Sequence, residues 1–490
     1  MHAIDFLVIA AYVVGCTVLG ARLGASSGGG LKGYFLGESN IPAWAVMISI
    51  VATETSAVTF LSVPGIAYRG DMTFLQLAIG YILARIAVAR LLLPAYFKGE
   101  IYTAYQVLAL RFGGATQKAA SVLFLITRTL GSGLRLFLAA RVLEYITGWP
   151  LSASILVIGI STLVYTYLGG LKGVIWADVL QFAVYMLGAG VALVVLGRAV
   201  PGGWEAVFDQ AGAAGKFRVF NFSTDLTIPY TFWAGAIGAM VLDMGTHGAD
   251  QMMVQRYLSA RSQRQAAGAL IVSGFVILLQ FAVFLTLGAG IWTLYQSAPP
   301  DLLPQKDQEF ASFIIRYLPT GVLGLVIAAV FSVTMSTVSG ALSASASSTI
   351  NDLYRPLFPD TPEPRLLRLS KALTLAWGVA QIGVAFGAMG LNQAVIDNAL
   401  AIASFVTGIL LGLFLLALLT TRVGQGAAFA GMLAGLAAVS YCAFGTKLAY
   451  PWYAVVGSAT VFAVGLLASY LRPEPSPSPT AKPAPLQELT

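Results

Sequence analysis

Again and again along this chain the sequence runs apolar for about twenty residues, the length at which an α-helix crosses the hydrocarbon core of a bilayer. Such runs centre near Tyr12, Ala52, Ala84, Gly133, Ile160, Met186, Ala239, Leu278, Val333, Gly378, Leu410, Gly435 and Val461. With 58% hydrophobic and 10% charged residues, far below the roughly 25% charge of soluble domains, the chain reads as a polytopic all-α integral membrane protein. Thirteen crossings are expected. An odd number puts the termini on opposite sides. Lys and Arg favour one set of loops by about two to one, which orients the N-terminus outside and the C-terminus in the cytoplasm of a cell membrane. The net charge of +7 follows from that asymmetry and from acidic headgroups, so nucleic acid is not an expected partner.

The first run has no basic leader and is read as a retained helix over residues 1–24. Cys16 and Cys442, far apart in apolar runs, offer neither a disulfide framework nor a metal motif. The segment 201–229 is the longest outside loop and carries the sequon Asn221-Phe222-Ser223. Residues 472–490, rich in Pro, Ser and Ala, read as a disordered cytoplasmic tail.

Two features point to a solute path. Between Ala328 and Tyr354 hydroxyls crowd a helix-length run, at Ser332, Thr334, Ser336, Thr337, Ser339, Ser343, Ser345, Ser347, Ser348 and Thr349. In a membrane each such oxygen must bond backbone, pack against a neighbour or meet a solute. The second feature is a pair of helices weakened at corresponding places, by Thr53-Glu54-Thr55-Ser56 in the second run and by Gly235, Gly238, Gly245 and Gly248 in the seventh. Interrupted helices in matching positions of two halves mark a transporter's central site. Close helix packing explains glycines equally well, but Glu54 is an acid at mid-membrane depth and is a functional candidate by default.

Four segments in order resemble the sodium/solute symporter family: Gly33 to Gly37; Gly169 to Gln181; Asp250 to Leu258; and Met335-Ser336-Thr337-Val338-Ser339 running to Asp352-Leu353-Tyr354. The resemblance implies a LeuT-type fold with a five-plus-five inverted repeat, over 41–200 and 230–420, one extra N-terminal helix and two extra C-terminal helices over 424–471. It implies a sodium site built from the carbonyls of Ala52, Thr55 and Val333 and the hydroxyls of Ser336 and Thr337. A second sodium site would use Asp178 and Ser339 with Ser336, although a serine of the family pattern is Gly340 here; the other reading of Asp178 is a salt bridge or cap. For the solute the resemblance implies Glu54, Ser56, Thr59, Phe74 and Gln76, with Asp243 and His247 as further candidates. Glu54 could bind an ammonium group, ligate sodium or carry a proton.

Arg128, Arg135 and Arg141 fall in the fourth run, Arg135 deepest. A guanidinium there is either a carboxylate clamp or half of an internal ion pair, with Glu144 or Asp178 as partner. These readings together describe a sodium-coupled symporter that imports a small organic solute, whether carboxylate, sugar acid, sugar or amino acid, by alternating access. The alternatives are a proton-coupled carrier using Glu54, or a solute sensor or channel. Two histidines and two cysteines make a membrane enzyme a poor reading, and no obligatory protein partner is expected.

Overall fold

The computed structural model describes residues 1–25, 30–99, 101–296, 298–299, 303–306, 308–391 and 393–471. The expected tail over 472–490 lies outside them. Among the described residues the chain is helical, with one isolated β-bridge joining Ile41 to Ala260. In chain order the principal helices are α1 (Ala3–Ala25), α2 (Ala43–Glu54), α3 (Ala57–Arg69), α4 (Gln76–Leu91), α5 (Gly114–Thr147), α6 (Leu151–Ala199), α7 (Met240–Gly248), α8 (Gln251–Leu258), α9 (Gln263–Tyr295), α10 (Val322–Ser348), α11 (Glu363–Gly387), α12 (Gln393–Leu419), α13 (Gln425–Gly445) and α14 (Pro451–Leu471). Ten of the described helices are long and apolar enough to cross a membrane, and α2 with α3, bent by 68° at their junction, form an eleventh as a broken span.

The expected crossings meet two interruptions. The centres at Ile160 and Met186 lie on opposite sides of a break within α6, whose 49 residues are two helices joined at Gly170 with no loop between them, each about the length that crosses a ~30 Å core. The single interruption is Gly170, at φ 54° and ψ −161°, a backbone region essentially reserved for glycine. The centre at Ala239 falls on a π-helical turn, Ala234–Ala239, followed by the short α7 and α8. Its glycines let α4 approach: a Cβ on Gly235 would lie 2.5 Å from the Gln76 carbonyl oxygen. α7 stops at Gly248, and Asp250 restarts the helix by accepting the Met252 amide at 2.8 Å as an N-cap.

α10 is the axis of the molecule. It packs against α6, α1, α5, α11 and α2, and 83% of its most apolar window is buried, against 28% for α1. Asp5 of α1 fixes its N-terminus, accepting the amides of Gly321 at 2.7 Å and Gly324 at 3.0 Å, where a carboxylate is favoured by the free N–H groups and the helix dipole. Several hydroxyls of α10 and of the turn after it bond back onto the preceding helical turn: Ser332 donates to Ala328 O, Thr334 to Val330 O and Thr349 to Ser345 O, at 2.8, 2.8 and 2.7 Å. These are satisfied locally.

The segment 201–229 holds a helix, Gly203–Ala213, and folds over the end of α3. Lys216 donates to the carbonyls of Tyr68 at 2.7 Å and Gly70 at 2.9 Å, and partial burial pulls its pKa below the ordinary lysine value. Burial pushes Asp71 the other way, but hydrogen bonds from Thr73 and Arg218 prevail and hold its pKa below the usual carboxylate value.

Replacing Gly170 by Ala forces a side chain into the glycine-only region and puts its Cβ 2.7 Å from the Tyr34 carbonyl oxygen. The expected loss is at least about 1–3 kcal/mol, read as a lower unfolding temperature in detergent. Gly190→Ala, where a Cβ meets nothing within 4 Å, should leave that temperature unchanged or raise it.

Candidate ion and solute site

The site begins with a helix that stops inside the protein. The Thr55 amide closes the last turn of α2 onto Val51 O at 3.1 Å, and Ser56 opens α3 as its N-cap, accepting the Thr59 amide at 3.3 Å. The carbonyls at the C-terminus of α2 beyond Val51 therefore lack continuing helical donors. Thr337 of α10 faces them: its Oγ1 lies 3.3 Å from Thr53 O, 3.4 Å from Thr55 O and 3.1 Å from Val333 O. One hydroxyl proton cannot satisfy three carbonyls. The result is a buried, neutral, oxygen-rich point between two helices, the kind of donor set that suits a hard cation. Ala52 is fully buried, but the carbonyls at the break that face Thr337 are those of Thr53 and Thr55.

Ser336, the neighbour of Thr337, points to Asp178, donating to Oδ1 at 2.6 Å. Ser49 donates to Oδ2 at 2.5 Å, and Thr53 Oγ1 lies 3.3 Å from the same oxygen. Arg256 of α8 completes the group. Its Nη2 lies 3.1 Å from Asp178 Oδ2 and its Nε donates to Ser49 Oγ at 2.9 Å, with both ion-pair partners wholly buried. The salt-bridge reading of Asp178 thus matches the geometry, with Arg256 as partner. Ser339 instead donates to Ser336 O at 3.0 Å. At Gly340 a Cβ would meet the Arg256 guanidinium at 2.9 Å, so the absent serine side chain leaves space that Arg256 occupies.

On the other side of the break lies a second charged group. Arg85, fully buried in α4, ion-pairs with Glu54, sits 3.4 Å from Asp243 Oδ2 and donates to Ser273 Oγ at 2.6 Å. His247 joins both acids, with Nε2 at 3.4 Å from Glu54 Oε2 and 3.4 Å from Asp243 Oδ1. Sequence reasoning named Glu54, Asp243 and His247 but missed Arg85 and Arg256. Each was a charge inside or beside an apolar run, the same signal that singled out Glu54.

Two cavities meet at Glu54 and Tyr81. One of about 230 Å³ is lined by Thr55, Thr59, Phe74 and Phe281 among others. The other, about 350 Å³, is lined by Arg128, Arg135, Asp243, Thr246, Asp250, Thr407 and Tyr453 among others. Arg128 ion-pairs with Asp250, whereas Arg135 has no hydrogen-bonding or ionic partner among the described residues, neither Glu144 nor Asp178 included. Ser56 stays at its capping position, its Oγ 3.2 Å from Thr59 Oγ1. Gln76 is a structural tie: its amide group donates to Thr73 O at 3.1 Å and Tyr230 O at 3.3 Å, and its oxygen accepts the Asn221 amide at 3.1 Å.

A helix broken at a carbonyl-rich point, a hydroxyl-bearing helix facing it and two cavities meeting at Glu54 beside the break fit an ion-coupled membrane carrier. Residues 34–435 match the model of the sodium:solute symporter family, and the chain belongs to that family. It is 30% identical over 455 residues to the human sodium/iodide cotransporter, covering 91% of this chain and 70% of the relative. It is 32% identical over 469 residues to the human sodium-coupled monocarboxylate transporter 1, covering 92% and 75% respectively. Its structure is similar to that of a Na+-coupled sialic acid symporter in a substrate-bound outward-open state, with a TM-score of 0.87 and 26% identity over 97% of this chain and 99% of the other. The chain is a sodium-coupled solute transporter, embedded in a membrane, and no enzyme; sodium is its coupling ion.

The buried Asp178–Arg256 pair yields a stability prediction. Arg256→Met leaves a carboxylate without its counter-charge and should cost about 3–5 kcal/mol, while the double variant Asp178→Leu, Arg256→Met should recover most of that loss. Unfolding temperatures of the purified proteins check both.

Proposed function

We propose that this transporter carries a small organic carboxylate inward with sodium by alternating access, the sodium held where α2 breaks against α10. The observation that carries the solute class is the contrast between two guanidinium groups. Arg85 is committed to Glu54 and Asp243, while Arg135 faces the larger cavity with no acid partner among the described residues. A guanidinium that is desolvated and unpaired favours an anion with two oxygens to engage. Glu54, already held by Arg85, is poorly placed to receive the ammonium of an amino acid. Iodide, monocarboxylates and sialic acid, the solutes for which the relatives are named, are all anions at neutral pH.

The proposed sodium position uses the carbonyls of Ala52, Thr55 and Val333 and the hydroxyls of Ser336 and Thr337. Its support is the meeting of Thr337 with the freed carbonyls of α2. Filling that point would bridge the broken helix to α10 and so couple the ion to conformation. Asp178 and Ser339 are not proposed to hold a second sodium, because Arg256 already neutralises the acid. Each sodium entering gains about 2.3 kcal/mol per 100 mV of membrane potential. The topology proposed is thirteen crossings, with α6 passing twice and the N-terminus outside, in two five-helix halves.

The test is uptake of radiolabelled propionate into proteoliposomes under an inward sodium gradient, with potassium as control. Arg135→Gln is expected to lower uptake at least about tenfold, the loss of one charge-assisted hydrogen-bonding group, with the unfolding temperature unchanged. Gradient-driven uptake of neutral sugars or zwitterionic amino acids, with propionate excluded, would overturn the solute class.

A further inference from the structure

A third cavity, of about 210 Å³, lies away from the solute site and is lined by Lys32, Tyr96, Phe97, Tyr102, Leu258 and Arg261 among others. Three segments build it: the approach to α2, the turn that follows α4, and the end of α8 with its link to α9. Each flanks the end of a membrane-length or broken helix, which sets the cavity at the rim of the bilayer. In the topology proposed above this is the cytoplasmic face, where most of the lysines and arginines lie.

The walls are pinned to one another. The Ile41 amide donates to Ser259 O at 3.0 Å, and the Gln251 side chain binds the Tyr102 carbonyl at 3.0 Å and the Ala104 amide at 2.8 Å. Tyr96, almost wholly buried, donates its hydroxyl to Gly248 O, where α7 stops. On the rim, Ser39 and its neighbour Glu38 hold φ 51° and 60°, the two non-glycine residues at positive φ among those described. Backbone kept in so costly a region calls for a functional reason.

The lining is electrically one-sided. Lys32 and Arg261 stand exposed at the mouth, and neither forms an ion pair with a described residue. No carboxylate is among the described lining residues; the others are apolar, aromatic or hydroxyl-bearing. Two like charges bordering one cavity are relieved by an anion. A phosphate, with oxygens spread over a tetrahedron, can meet an ammonium and a guanidinium from different directions at once.

We propose that this cavity binds a phosphate group, carried by an anionic phospholipid or by a small phosphorylated solute of the same compartment. Its place at the bilayer rim, beside Phe97 and Leu258, favours the lipid, since basic pockets between membrane helices suit such headgroups. The cavity exists only while the approach to α2 and the end of α8 stay joined. An occupant therefore opposes their separation by its own binding free energy. Neither the solute class nor the sodium position enters this inference.

Thermal unfolding of the full-length protein in a zwitterionic detergent, against increasing dihexanoyl phosphatidylglycerol, dihexanoyl phosphatidylcholine or inorganic phosphate, tests it. Phosphatidylglycerol is expected to raise the unfolding temperature saturably, and phosphatidylcholine, whose choline offsets the phosphate, to leave it unchanged. Lys32→Gln with Arg261→Gln is expected to weaken the apparent affinity at least about tenfold. Arg365→Gln with Arg368→Gln, which removes exposed cations outside the cavity, is expected to retain it. All four side chains are exposed, so both double variants should match the wild type in unfolding temperature without ligand. An equal response to inorganic phosphate, lost with Lys32 and Arg261, keeps the site and overturns the lipid. Equal responses in the two double variants, or none to any phosphate, overturn the site.

Discussion

Everything at the centre of this transporter depends on the end of α2 at Glu54. A helix in a membrane satisfies its own backbone, and a helix that stops there leaves carbonyls that must find another partner. In this chain the partner on hand is a threonine hydroxyl with a single proton, so the oxygen atoms outnumber the donors. That imbalance is the physical reason to place a cation at the junction, and it explains why α10, the most deeply buried of the membrane-length helices, is the one set against it. The ion would then act as a removable strut between a broken element and the axis of the molecule.

The charges around the junction fall into two groups that differ in their access to the cavities. On one side Asp178 is closed off by Arg256 and three hydroxyl groups, a wholly buried arrangement that favours one fixed geometry over a vacancy. On the other side Glu54, Arg85, Asp243 and His247 share their contacts in a place reached by two cavities. The first arrangement positions α2, α6, α8 and α10 relative to one another. The second borders both cavities.

How much of this was legible in the sequence follows from the range of each signal. Apolar length located the spans, and the polar run Thr53 to Ser56 located the break, because both are local properties of the chain. That the two spans of α6 meet at Gly170 with no loop between them was not legible, since Gly169-Gly170 reads equally as the end of one helix or a kink within a longer one. The hydroxyls of α10 were over-read as a group: Ser332, Thr334 and Thr349 bond their own helix, and only their neighbours' contacts distinguish them from Ser336 and Thr337. Partners distant in sequence were the hardest. Nothing near Asp178 names Arg256, and nothing near Glu54 names Arg85, although an arginine in the third run carried the same warning as the acid it joins. The role of Asp5 as the cap of α10 was not legible, because it depends on a contact spanning most of the chain.

The central claim is that sodium binds the oxygen atoms joining the end of α2 to α10. Equilibrium binding of radiosodium to purified wild-type protein and to Thr337→Val, which keeps the side-chain shape and removes the hydroxyl, tests it most directly. The account predicts at least a tenfold or so weaker affinity, the loss of one ligand worth about 1.4 kcal/mol, with an unchanged unfolding temperature. Equal affinity in the two proteins would contradict it.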